Sequence, residues 1–267
     1  MTDDSRPTPQ QTTIVSPDPW QGLRSLTRAR IGLGRSGNAQ RSTDVLAFQA
    51  AHAQARDAVH APLDIKTMQT QLNGEPCLIV HSRAPDRPTY LRRPDLGRRL
   101  DAESLAGLEK GSWDAVFVVA DGLSSVAATE GAVALYHAMK DRLKDWSLAP
   151  LVIVKEGRVA IGDEIAAAMG ASMVVMMIGE RPGLSVANSM GIYLTYAPRV
   201  GCPDSARNCL SNIHPHGLKT VVAADKLAWL MREARQRKLT GVDLKDDAPE
   251  SMLIEQTPPA LDKDTHV

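Results

Sequence analysis

Little in this sequence is aromatic. Phe, Trp and Tyr together make 4% of its 267 residues, too few for the stacking platforms that hold single-stranded nucleic acid. Net charge is absent as well: Lys+Arg and Asp+Glu stand at 31 each, so no global field draws the chain to a polyanion or an anionic membrane. The three cysteines, Cys77, Cys202 and Cys209, include no CxxC pair. An odd number at such spacing points to reduced thiols in a cytosolic protein rather than a disulfide framework. No apolar run reaches the ~20 residues that a membrane-spanning helix needs. The opening MTDDSRPTPQQTTIVSPDP has neither the basic nor the apolar region of a secretory signal. Catalytic signatures are missing too: there is no GxSxG, HExxH or P-loop, and no self-contained catalytic set. GLGRSG (Gly32, Gly34, Gly37) satisfies GxGxxG, but the RSLTRARI before it is no buried strand. A dinucleotide site needs strand, turn and helix in that order, so the match is discounted.

What remains is an ordinary globular balance, 43% apolar and 23% charged, long enough for one large domain or two unequal ones. Residues 1–19 and 248–267 are polar and proline-bearing and read as disordered tails. In STDVLAFQAAHAQARDAVH, the residues Val45, Phe48, His52, Ala55 and Val59 recur at spacings of three and four. That spacing predicts a helix with Ser42 or Thr43 at its start. Pro62 ends it, a second helix is expected near 63–72, and Asn73-Gly74 marks a turn. Residues 20–75 therefore read as a small all-helical domain.

From residue 76 the rhythm changes. CLIVHS, AVFVVADGL, PLVIVKEGRV, SMVVMMIGERPGL and MGIYLTYAP are short, nearly all-apolar runs. Helical patterns alternate with them, including one capped by Ser124 or Ser125. Such alternation predicts an α/β fold, a Rossmann-like, mostly parallel sheet covered on both faces, over residues 76–247.

In open α/β sheets ligands sit beyond the carboxyl ends of the strands. Three strand ends carry unusual chemistry: Asp121-Gly122-Leu123-Ser124, Lys155-Glu156-Gly157-Arg158-Val159 and Gly179-Glu180-Arg181-Pro182-Gly183. In the last, glycines permit close backbone approach and Pro182 stiffens the loop, leaving Glu180 as an acceptor on a rigid support. A surface ion pair between Glu180 and Arg181 is an equal reading. Cys202, Cys209, His214 and His216 form a conceivable zinc set whose spacing fits no paired-ligand signature. Arg87, Arg92, Arg93, Arg98 and Arg99 suit bidentate carboxylate contacts with a partner subunit, or a solvated stretch with ion pairs.

Several stretches, in order, carry a family resemblance over about residues 28–240. They are RARIGLGRSGNAQRSTDVLAFQAAHAQARDAV, YLRRPDLGRRL, VADGLSS, EGRVAIGDEI, IGERPGLSVANSM, YLTYAPR and CLSNIHPHG. The chain resembles the small (light) subunit of ethanolamine ammonia-lyase. The resemblance implies an enzyme that converts ethanolamine to acetaldehyde and ammonia with adenosylcobalamin. It implies a large catalytic subunit as partner in a hetero-oligomer, with the small subunit closing over the cobalamin at the interface. Carried over by motif, the cofactor contacts fall on Val159, Glu180 and Cys209, with no catalytic residue and no metal ligand in this chain. NIHPHG approaches the DxHxxG cobalamin motif. The family keeps the cofactor's own base on cobalt, however, and Asn212 stands in place of Asp. His214 is therefore expected to be structural or an interface residue. The resemblance also raises placement inside a bacterial microcompartment, but the N-terminus has no apolar stripe at helical spacing, so a cytoplasmic location is expected.

Overall fold

Alternate residues along each apolar run face opposite sides of a sheet, and the central runs are buried on both. In β2 (Val116–Ala120) and β4 (Met173–Gly179) every residue is buried. The computed structural model describes residues 18–248. It divides by contacts into two units, 1–49 and 50–267.

The first unit holds α1 (Gln21–Leu26), which buries no residue, and a turn-rich stretch leading to α2 (Ser42–His60). That helix begins at Ser42, as expected, and continues into the second unit. Of the stripe read from its sequence none is fully buried; Ala58 is the buried residue of α2.

The second unit is an α/β fold around one mixed six-stranded sheet of order β1-β3-β2-β4-β5-β6. The strands besides β2 and β4 are β1 (Cys77–His81), β3 (Leu151–Lys155), β5 (Met190–Tyr196) and β6 (Asn208–Ile213). The first four pair parallel, with Cys77 opposite Leu151, Val118 opposite Val152 and Val116 opposite Val174. β5 and β6 pair antiparallel, with Met173 opposite Tyr196 and Tyr193 opposite Cys209. The parallel expectation thus fails for these two strands. The connections before them carry no α-helix, and a parallel return needs a crossover, whereas an antiparallel one does not.

α3 (Ile65–Gln71), α6 (Ser125–Arg142) and α8 (Thr220–Arg237) supply buried residues to one face. There Met68, Ala128, Leu135 and Leu227 join Phe117, Val119, Ile153 and Val175 in one core. α7 (Ile161–Met169) covers the other face, packing Ile161 and Ile165 on Val118, Val152, Val174 and Met176. Two short helices, α4 (Arg87–Arg92) and α5 (Ala102–Ala106), lie between β1 and β2. The Asn73-Gly74 turn is present, both residues at positive φ (51° and 85°). The expectations for 1–19 and 248–267 fall, apart from Asp18, Pro19 and Ala248, outside the described residues, as does most of the stretch on which the targeting helix was sought.

Candidate functional site

The chain leaves β2 for α6 on one face of the sheet and leaves the neighbouring β3 for α7 on the other. Between those two strand ends lies the crevice where open α/β sheets bind ligands. Asp121, at the end of β2, is 3% exposed. Its Oδ1 accepts from the Gly122 and Gly157 N–H groups, each at 3.0 Å. Its Oδ2 accepts from the Glu156 N–H at 2.9 Å and from Arg87 Nη1 at 3.1 Å. Arg87 also donates to Glu156 Oε2 at 3.0 Å, to the Gly122 carbonyl at 2.9 Å and to the Val59 carbonyl at 2.7 Å. Burial and the nearby Glu156 carboxylate push Asp121 up to about 7, against the pull of Arg87 and the amides. Tyr90 is fully buried beneath the guanidiniums of Arg87 and Arg158 and donates to the Gly157 carbonyl at 3.0 Å. This cluster fixes the loop after β3, in which Glu156 is held at φ 55°. Beside it opens a cleft of about 660 Å³ lined by Leu63, Lys66, His81, Asp86, Asp121 and Lys155, among others.

Val159 ends that same loop. It is half-buried, packed against the apolar cluster of Val174, Met176 and Ile178 under α7. Its carbonyl accepts from Gly162 at 3.2 Å, and among the described residues nothing accepts from its N–H.

The second group lies where β4, β5 and β6 meet. Glu180 follows β4 directly, and its N–H donates to the Ser189 carbonyl at 2.8 Å. Its carboxylate turns back over β5. Oε2 accepts a short hydrogen bond from Ser189 Oγ, and the Asn212 N–H is shared between Oε1 and Oε2 at 3.3 and 3.2 Å. That amide is aimed by an irregularity in the β5–β6 register, with Asn212 at φ 63°, a standard use of bulges beside functional sites. Gly191 makes the arrangement possible, because a Cβ there would stand 2.9 Å from Glu180 Oε1. Two residues on, Tyr193 shares that face and pairs with Cys209. Burial, and then the adjoining Cys209 thiol, push the Tyr193 phenol up to about 12. Partial desolvation, with a contribution from the Glu180 charge, raises the Cys209 thiol against the pull of the neighbouring Tyr193 hydroxyl, so the thiol stays neutral and weakly nucleophilic. At this corner Cys209 is exposed and Glu180 and Tyr193 are half-buried.

Glu180 and Cys209, 29 positions apart, therefore share the sheet face of Tyr193, which packs against the same apolar cluster as Val159. All three candidates belong to one face of the sheet, and no hydrogen bond joins Val159 to the other two. Arg207 straps the parts together. Its guanidinium forms two 2.7 Å bonds to Asp163 of α7, one to Thr195 Oγ1 of β5 at 3.0 Å and one to the Cys202 carbonyl at 3.1 Å. Sequence reasoning missed Arg207, Tyr193 and Ser189. Only strand register brings them to the site, and a lone Arg-Asp pair 44 positions apart leaves no local signal.

The remaining candidates separate cleanly. No ion pair joins Glu180 to Arg181 among the described residues. Gly179 serves the chain's own packing rather than a ligand: a Cβ there would lie 1.9 Å from the Ser124 carbonyl oxygen. Among the described residues no group of three or more His, Cys, Asp or Glu is placed to hold a metal ion, so the zinc set is not assembled. His214 is engaged at both ring nitrogens. Nδ1 accepts from the His216 N–H at 3.2 Å, which puts the proton on Nε2 for donation to Asn212 Oδ1 at 2.8 Å. Of the arginine run, Arg87 and Arg99 are tied inward, the latter to Glu164 at 2.8 Å, and Arg93 pairs with Asp95 on the surface.

Against known proteins, a model of the ethanolamine ammonia-lyase light chain (EutC) family matches residues 17–245. The ethanolamine ammonia-lyase small subunit of Ralstonia nicotianae is 51% identical over 263 residues, covering 95% of this chain and 96% of the relative. That of Azotobacter vinelandii is 52% identical, covering 86% and 89%, and that of Pseudomonas fluorescens 50%, covering 86% and 88%. With the match spanning nearly all described residues, the chain belongs to the ethanolamine ammonia-lyase light chain family.

Proposed function

We propose that this chain is the non-catalytic small subunit of an adenosylcobalamin-dependent ethanolamine ammonia-lyase, holding the cobalamin against a large catalytic subunit. When bound, the cofactor supplies the radical that starts ethanolamine deamination. The Rossmann-like unit presents Val159, Glu180 and Cys209 to it. The donor set fits such a group. A corrin is rimmed by amide side chains, which are hydrogen-bond donors, and Glu180 is an acceptor held in place by Ser189 and Asn212. Val159 offers an unused N–H and an apolar wall. Cys209 and Tyr193 offer a neutral polar surface on which a large planar group can lie. The observation carrying this reading is that Glu180, lying over Gly191 of β5, and Cys209, opposite Tyr193 of β5, share one part-exposed face although they are distant in sequence. In this reading the chemistry is performed in the partner, and the complex works in the cytoplasm.

Co-expression with the large subunit is the test. A stable complex with cobalamin-dependent deaminase activity, and no turnover by the chain alone, is expected; turnover of ethanolamine by the chain alone contradicts the division of labour. A second reading, a free-standing Rossmann-like binding module for a nucleotide or sugar phosphate, has the 660 Å³ cleft at the crevice between β2 and β3 as its place, although Asp64, Asp86, Asp121 and Glu156 outnumber Lys66 and Lys155 in its lining. It requires ligand binding by the isolated chain without cobalamin, which a thermal-shift panel of nucleotides and sugar phosphates detects.

A further inference from the structure

Residues 18–49 invert the usual arrangement of polar outside and apolar inside. Of the twelve large apolar side chains exposed among the described residues, five fall here: Trp20, Leu23, Leu26, Leu46 and Phe48. α1 buries nothing. What organises the segment is polar. Arg24 donates to the Ile31 carbonyl at 2.7 Å, to Asp18 at 2.6 Å and to the Gly32 carbonyl. Arg41 pairs with Asp44 at 2.9 Å, and Ser36 and Ala39 exchange backbone hydrogen bonds. Gly32, at φ 49°, accepts the Trp20 indole where a Cβ would collide with it. A segment tied together by guanidinium groups, with its apolar side chains turned outward, is shaped to be covered by another surface.

Its charge states what kind of surface. Residues 18–49 hold five arginines, no lysine and two aspartates, within a chain of zero net charge. Both aspartates are already paired, with Arg24 and Arg41. Arg28 and Arg35 have no ion-pair partner among the described residues, and Arg35 lines a hollow of about 380 Å³ with Leu33, Gly34, Asn38 and Gln40. Planar guanidiniums take carboxylates through two N–H groups at once. The family match begins at residue 17, so this segment belongs to what the family shares. Relatives of matching length are called small subunits, which presupposes a larger companion.

We infer that residues 18–49 are the arm by which this chain docks on the large subunit, into an apolar groove edged by Asp and Glu side chains. The inference rests on the proposed assembly with that subunit. Leu23, Leu26 and Phe48 supply the buried contacts and Arg28 and Arg35 the rim.

The affinity of the purified chain for the large subunit tests it, with wild type beside two variants, Leu23→Asp/Leu26→Asp/Phe48→Asp and Arg28→Gln/Arg35→Gln. The substituted apolar side chains are about half exposed or more, and the melting temperature serves as the folding control. At least ~30-fold weaker binding is expected for the first variant, the loss that follows from removing central apolar anchors. The second should bind ~5–20-fold more weakly, chiefly through slower association with a shallower salt dependence. Wild-type affinity in both variants overturns the arm. So does a wild-type chain that self-associates through these residues while the first variant keeps full affinity for the large subunit. Failure of the wild-type chain to join the large subunit at all sinks the assembly itself, and is thereby distinguished from failure of the arm.

Discussion

Two carboxylates follow neighbouring strands of one sheet, and they are used in opposite ways. Asp121 is closed off. Each of its oxygens accepts two hydrogen bonds from this chain, and Arg87 and Glu156 seal it. Glu180 is open: it accepts one hydroxyl and one shared amide, and its surroundings are half-exposed. A saturated buried carboxylate builds a loop, whereas an acceptor with spare lone pairs at a part-exposed corner is free to meet something else. Position at a strand end does not distinguish the two, but the count of partners does.

That contrast can be broken by exchanging stability against binding. Asp121→Ala leaves Arg87 and three backbone N–H groups without their acceptor, and the loss of a buried ionic partner costs about 3–5 kcal/mol. Chemical denaturation should show that loss; a change below about 1 kcal/mol means that the cluster does not organise the loop. Glu180→Ala should instead weaken cobalamin binding by the assembled enzyme by about 1–3 kcal/mol, while costing the folded chain less than that. Glu180→Gln, which keeps one acceptor oxygen, should fall between it and wild type. Equal affinities for all three would remove Glu180 from the site.

A further measurement sharpens the comparison through pH. Asp121 carries a folded value of about 7 against an ordinary 3.8, so between those values the folded state binds more protons than the unfolded one. This group therefore lowers stability as pH rises from about 4 to about 7 and adds no further slope above. Asp121→Asn should flatten that segment of the stability profile, whereas Glu180→Gln should leave it unchanged. A slope that persists in Asp121→Asn assigns it to other groups.

Much of the fold is legible in the chain because its signals are local. Five of six strands coincide with apolar runs, and the second helix appears near its expected place as Ile65–Gln71. β6 was not legible: only Leu210 and Ile213 are buried along Asn208–Ile213, too few for a period of two. The cap of α6 falls on Ser124, one of the two serines expected there, yet that hydroxyl donates to the Ala187 carbonyl rather than capping the helix. The candidate residues rested on two signals, strand-end loop chemistry for Glu180 and the family's motifs for Val159, Glu180 and Cys209. Their supports, Ser189, Tyr193, Asn212 and Arg207, depend on antiparallel pairing and a register shift that no composition or spacing encodes.

The most direct test is a structure of the two-chain enzyme with cobalamin bound. Corrin density against Val159, Glu180 and Cys209, with a corrin amide within hydrogen-bonding distance of the Glu180 carboxylate, is expected. A corrin held wholly by the large subunit, with those three residues turned away from it, would contradict the assignment.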